Sequence, residues 1–111
     1  MRGKDFDAVA LVRIKRAFDR NDAAHIGGYL IENYSQTVKN AACEALGALS
    51  SAESLKELLC ALFYRKPQKE TEAQIIKTLS FMLTKEDLAR VRALYALCAM
   101  RPMHYNYCIN C

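Results

Sequence analysis

The chain has 111 residues, of which 52% are hydrophobic and 25% are charged, and its formal net charge is +4 at pH 7. This length is typical of one domain, and the composition is that of a globular protein rather than a disordered or fibrous one. No apolar run approaches the roughly 20 residues of a membrane span, and charges interrupt the apolar residues near the N-terminus. We therefore expect a cytoplasmic protein with no membrane partner.

Apolar residues recur at intervals of three and four, and only two prolines and four glycines interrupt the chain, so we predict an all-α fold. A first helix is predicted from about Asp5 to Arg20. Asn21 or Asp22 is expected to cap a second helix, since both residue types are favoured N-caps. This second helix would carry one line of side chains: Ile26, Tyr29, Leu30 and Asn33.

The middle of the chain predicts two helices of different character. Ser35 is expected to start the third helix, and Ser50 with Glu53 forms a capping-box pattern for the fourth, which is rich in leucine. We expect the small residues of the third helix to let it approach its hairpin partner and a helix of the next hairpin at once. Its inner face is predicted to hold Val38, Ala41, Ala42, Ala45, Leu46 and Leu49.

The C-terminal part predicts two more helices. The fifth would run from about Glu70 to Leu83, and Thr84 with Asp87 reads as a cap for the sixth, which would end near Met100. Six helices make three hairpins. We predict a single α-helical repeat domain over residues 1–101 and a C-terminal tail over residues 102–111.

Two segments of the chain repeat each other. A shift of 33 residues places Leu46 on Leu79 and Ser51 on Thr84, which is the period of a helical repeat. The run from Val38 to Leu49, followed by a two-residue turn and a leucine-rich helix, resembles the short bacterial HEAT-type (PBS-lyase-type) repeat. The resemblance implies three antiparallel hairpins stacked as a short α-solenoid that binds proteins, or sometimes nucleic acid, along its faces. A six-helix bundle is the alternative.

Nothing in the sequence indicates an active site. A catalytic nucleophile needs a base beside it, and the two histidines, His25 and His104, are far apart in sequence. The pair Gly27-Gly28 is not followed by the lysine and hydroxyl residue of a phosphate-binding loop. We predict a protein that is not an enzyme, with no catalytic residues and no cofactor.

The cysteines are interpreted as structural residues rather than as metal ligands or redox groups. His104, Cys108 and Cys111 are spaced as half of a zinc site, but a closed site needs four ligands. We predict no metal site and interpret the tail thiols as incidental, with zinc and a redox pair as the alternatives. Cysteines inside helices usually act as small buried hydrophobes. Those predicted to lie in helices are Cys43, Cys60 and Cys98.

A basic stripe is the first candidate binding surface. Arg13, Arg16 and Arg20 recur at i, i+3 and i+7 and so lie on one side of the first helix, apart from its apolar face. The stripe predicts a site for an acidic partner. The alternative is a solvated face whose cations favour the helix C-terminus.

A groove is the second candidate surface. In HEAT-type hairpins the second helices usually line the concave face, so the resemblance implies that one groove holds a set of exposed side chains from the fourth and sixth helices. Exposed aromatics and arginines make good anchors for a partner. The alternative is that the C-terminal tail covers part of this surface. The predicted groove residues are Glu57, Tyr64, Arg90 and Leu97.

Together these patterns predict a non-enzymatic protein–protein interaction module, either an adaptor, an inhibitor or an immunity-type protein. The alternative is a nucleic-acid-binding repeat that uses the basic stripe and the loop from Arg65 to Lys69. No recognition motif for nucleic acid is present, which makes a protein the first expectation for the partner.

Overall fold

The computed structural model describes residues 3–31 and 33–100, with side chains over 6–31 and 33–97. This part of the chain contains helices and no strand, so the predicted all-α class is confirmed. None of its helices has the length and apolarity needed to cross a lipid bilayer. The helices are α1 (Gly3–Asp19), α2 (Ala23–Gly27), α3 (Gln36–Leu49), α4 (Ala52–Tyr64), α5 (Lys69–Met82) and α6 (Lys85–Met100), with a 3-10 turn (Gly28–Leu30) after α2.

The predicted hydroxyl caps of α3 and α6 are both present. The Ser35 hydroxyl accepts the backbone N–H of Val38 at 3.3 Å and starts α3. The Thr84 hydroxyl accepts the backbone N–H of Asp87 at 3.1 Å and starts α6. Each hydroxyl satisfies one of the N–H groups that a helix leaves without an internal partner at its N-terminus.

The cap of α4 is one residue later than predicted. Ser51, not Ser50, accepts the backbone N–H of Ser54, at 3.0 Å. Ser50 instead ends α3 in the left-handed conformation, with φ 45°. The chain leaves α3 through one left-handed residue, Ser50. The next residue, Ser51, is extended, so its hydroxyl can reach the N–H groups at the start of α4.

The second helix is shorter than predicted. The carboxylate of Asp22 caps α2 by accepting the backbone N–H of His25 at 3.2 Å, whereas Asn21 precedes the helix with φ 56°. After five residues the α-helix becomes a 3-10 turn. The two consecutive glycines at this junction have low helix propensity, which explains the early end.

Helix α3 lies at the centre of the fold and contacts α1, α4 and α5. Its fully buried side chains are Val38, Ala42, Cys43 and Leu46. A Cβ atom at Gly47 would lie only 2.8 Å from Cγ2 of Thr78 on α5, so the two helices pack too closely for any side chain at this point. The small residues of α3 therefore allow it to have neighbours on several sides.

The N-terminal turns of α1, α3 and α5 lie side by side. The Ser35 hydroxyl donates to a carboxylate oxygen of Asp7 at 2.9 Å, and the Thr71 hydroxyl donates to the side-chain oxygen of Gln36 at 3.2 Å. Helix α2 packs on α4, and α6 contacts both α4 and α5. These neighbours are compatible with stacked hairpins and with a six-helix bundle.

We expect Gly47→Ala to destabilise the protein. The new methyl group would meet Thr78, whose rotation is opposed by the hydrogen bond from its hydroxyl to the Gln74 carbonyl, at 2.9 Å. Overpacking of this kind costs about 1 to 3 kcal/mol, and the better helix propensity of alanine offsets at most about 1 kcal/mol of that. Equilibrium unfolding in urea measures the difference.

The matched control is Gly28→Ala. Gly28 has φ −62°, and no atom lies within 4 Å of its Cβ position. We expect this variant to be as stable as the parent or more stable, by about 0.4 to 1 kcal/mol. Equal stabilities of the two variants would contradict the close packing of α3 on α5.

Candidate partner-binding surfaces

The predicted basic stripe lies on the outer side of α1. Ala10, Ile14 and Ala17 are buried and attach a different side of the helix to the core. The basic residues that project from the outer side are all exposed: Arg13, Arg16 and Arg20. Because three and four residues separate neighbours on a helix surface, these side chains form one continuous row.

Two exposed valines extend this row. Val9 is 45% exposed and Val12 is 50% exposed. Val9 lies four residues before Arg13 and Val12 four residues before Arg16, so each valine is a neighbour of an arginine on the helix surface. We call Val9, Val12, Arg13, Arg16 and Arg20 the α1 face. Sequence analysis identified its arginines and missed its valines, although the same spacing pointed to both.

The arginines of the α1 face are not neutralised within the described part of the chain. The side chains of Arg13, Arg16 and Arg20 have no ion-pair or hydrogen-bond partner there. Asp19, the acidic residue at neighbour spacing to Arg16, forms no ion pair with it in the structure. The guanidinium groups are therefore free to pair with carboxylates of another molecule.

A row of aromatic rings fixes the N-terminal half of α1 on the rest of the protein. Phe6 stacks on Tyr34 with ring centroids 5.4 Å apart, and Tyr34 packs on Tyr29 at 4.9 Å. Tyr29 in turn contacts His25 at 5.5 Å. These contacts join α1 to α2 and to the turn that precedes α3, so the α1 face is presented by an anchored helix.

Of the four predicted groove residues, Tyr64 lies in a groove. It is 63% exposed and lies at one end of a shallow groove of about 390 Å³ along α4. Glu57, Arg90 and Leu97 do not line this groove. The groove wall is mainly apolar and is formed by Ala52, Leu55, Lys56, Leu59, Cys60, Phe63 and Tyr64.

The other three predicted groove residues lie in separate environments. The side chain of Glu57 is half-buried over Gly27, where a Cβ atom would come within 2.0 Å of its Oε1, so it contributes to the packing of α2 on α4. Arg90 pairs with Asp87 at 3.4 Å in a solvent-exposed ion pair, which contributes little stability. Leu97 is an exposed side chain on α6.

His25 and Cys43, two side chains of types used in catalysis, lie in structural surroundings. The carboxylate of Asp22 accepts the backbone N–H of His25, while the ring Nε2 of His25 lies 3.5 Å from the Tyr29 hydroxyl. Burial, helped by the charge of Glu44, raises the pKa of Cys43 to about 12. A thiol with so high a pKa is inert at neutral pH.

The described side chains contain no group of three or more His, Cys, Asp or Glu residues placed to hold a metal ion. The tail residues weighed as zinc ligands, His104, Cys108 and Cys111, lie outside the described residues.

Comparisons with protein-family models, with curated proteins and with solved structures find no match for this chain. Its function is therefore inferred from the exposed surfaces themselves. Among these, the α1 face combines unpaired cations with exposed apolar side chains on one anchored helix.

We expect a thiol reagent at pH 8 to modify Cys60 in the folded protein while leaving Cys43 unmodified. A pKa of about 12 leaves roughly one Cys43 thiol in 10,000 ionised at this pH, and its side chain is fully buried, whereas Cys60 is partly accessible. Peptide mapping by mass spectrometry follows each site separately. In the urea-unfolded control both sites should react at similar rates. Equal labelling in the folded protein would show that Cys43 is accessible.

Proposed function

We propose that this chain is a non-enzymatic protein-binding module that binds an acidic protein partner through the α1 face. The supporting observation is that Arg13, Arg16 and Arg20, which have no partner in the described chain, share the exposed side of α1 with Val9 and Val12. An adaptor, an inhibitor and an immunity-type protein would each use such a surface.

The two kinds of side chain in the α1 face would act on different steps of binding. Exposed arginines attract a negatively charged partner and raise the rate of encounter, an effect that salt screens. The half-exposed valines would add stability to the complex, since covering the remaining apolar surface of each contributes about 1 kcal/mol. A partner that carries carboxylates beside an apolar stripe would pair with the arginines and cover the valines.

The valines are the reason to prefer a protein partner over nucleic acid. A phosphate backbone pairs with arginines but offers no apolar surface to Val9 and Val12. The proposal retains the HEAT-like stack of hairpins, which is compatible with the adjacent first turns of α1, α3 and α5. It also retains a reducing, cytoplasmic setting, which suits the free thiols of Cys43 and Cys60.

The test begins with affinity capture from the native cell and identification of the partner by mass spectrometry. We expect simultaneous Arg13→Glu, Arg16→Glu and Arg20→Glu to preserve folding and to slow association with that partner by about tenfold or more at low salt. The matched control reverses three exposed lysines of other helices, with the same change in net charge: Lys56→Glu, Lys77→Glu and Lys85→Glu. An association rate that falls equally in both variants would contradict the proposal.

A second variant tests the valines. We expect Val9→Ser with Val12→Ser to speed dissociation by about tenfold while leaving the association rate nearly unchanged, because apolar contacts form after encounter. The nucleic-acid alternative would replace this proposal if the captured partner is nucleic acid and the valine substitutions have no effect on its binding. In that case the slope of log K on log salt should be near −0.9 per neutralised phosphate.

A further inference from the structure

A second charged feature lies away from the α1 face, in a cavity of about 350 Å³ between α3, α5 and the residues that join α4 to α5. This volume is within the range of small-molecule sites in proteins. Among the residues that the structure describes, the lining contains two basic side chains and no acidic one: Leu30, Ile31, Lys39, Arg65, Pro67 and Thr71.

Lys39 is the unusual member of this lining. The residue is only 4% exposed, and its ammonium group has no hydrogen-bond or ion-pair partner among the described residues. No fully buried side-chain nitrogen or oxygen in the described part of the chain lacks a partner, so the ammonium must retain contact with solvent. Because Lys39 lines the cavity, we take its ammonium to meet solvent there.

Lysine is rarely buried without a carboxylate, because its charge is costly to remove from water. When the stem is buried and the charge reaches solvent only through a cavity, the positive charge is concentrated there and is screened less than on the open surface. Lys39 is therefore placed to attract an anion into the cavity.

Two further features add positive potential to the same cavity. One guanidinium N–H of Arg65 donates to the Gly27 carbonyl at 3.3 Å, which leaves its other N–H groups available. The first turn of α5 borders the cavity through Thr71, and Pro67 lines it just before the N-cap of that helix, Gln68, which makes no side-chain hydrogen bond to the turn. The N-terminus of a 14-residue helix favours a bound anion.

The acidic residues of the first turn of α5 do not cancel this charge inside the cavity. Neither Glu70 nor Glu72 lines it. Glu72 accepts a hydrogen bond from the Tyr95 hydroxyl of α6 and lines a different pocket.

We propose that this cavity binds a small phosphomonoester. Its phosphate lies between Lys39, Arg65 and the first turn of α5, where two cations and a helix N-terminus match a double negative charge. A carboxylate would leave one of the cations unmatched. The volume exceeds that of a phosphate group, and the organic part of the ligand packs on the apolar side chains of the cavity: Leu30, Ile31 and Pro67.

Thermal unfolding of the full chain tests this site, with sodium phosphate or phenyl phosphate replacing sodium chloride at constant ionic strength. A ligand that binds only the folded state raises the melting temperature with a saturable dependence on its concentration. We expect saturation with both probes, and with phenyl phosphate at the lower concentration because its ring covers the apolar wall.

Lys39→Met keeps the length and apolar stem of the side chain and removes its charge. We expect the affinity for phenyl phosphate to fall by about tenfold or more in this variant, as it does when one partner of a buried charge pair is removed. The matched control, Lys56→Met at an exposed position of α4, should bind like the parent. Arg65→Gln, at an exposed residue, supplies a second readout if the Lys39 variant does not fold.

Two outcomes would overturn the proposal. A rise in melting temperature that is equal in the parent and in Lys39→Met would reflect the general stabilising effect of phosphate on folded proteins. The absence of a saturable rise in the parent up to about 10 mM of either probe would exclude a binding site of millimolar affinity or better.

Discussion

The close contact between α3 and α5 at Gly47 and Thr78 sets the spacing on which the rest of the fold depends. Because α3 also contacts α1 and α4, added volume on its buried side would displace several neighbours at once. Ala42 and Cys43 are fully buried on this helix, and both are small. Most of the buried side of the central helix is thus used for packing, and most of the surface free to meet another molecule belongs to the helices around it.

Much of the helical framework could be predicted from local signals. The hydroxyls of Ser35 and Thr84 start α3 and α6 as predicted, because a cap depends only on residues within one turn. The errors fall where two local solutions compete. Ser50 and Ser51 are both acceptable caps, and the left-handed exit from α3 selects the second. In the second helix, periodicity continued through Gly27 and Gly28, but the α-helix ends there in a 3-10 turn.

The candidate surfaces were less accessible to prediction. The exposure of Arg13, Arg16 and Arg20 follows from the periodicity of one helix. The groove combined side chains of two helices, and their relative placement depends on packing that no local pattern encodes. Glu57 illustrates the difficulty, because it lies over Gly27, a residue 30 positions earlier in the chain. A signal did exist for the burial of Lys39, which shares helical spacing with the fully buried Ala42, Cys43 and Leu46.

The two positively charged regions of this protein obey different electrostatics. The guanidinium groups of the α1 face are exposed, so their attraction for a partner falls steeply with ionic strength. The charge of Lys39 reaches solvent only through a cavity, where the lower dielectric makes an interaction with an anion stronger and less sensitive to salt. A lysine whose stem is buried and whose charge has little contact with solvent and no counterion is also unfavourable for folding, and proteins retain such local conflicts mainly at functional sites. A lysine kept at a position where the helix pattern calls for an apolar residue is therefore better explained by what it binds than by what it stabilises.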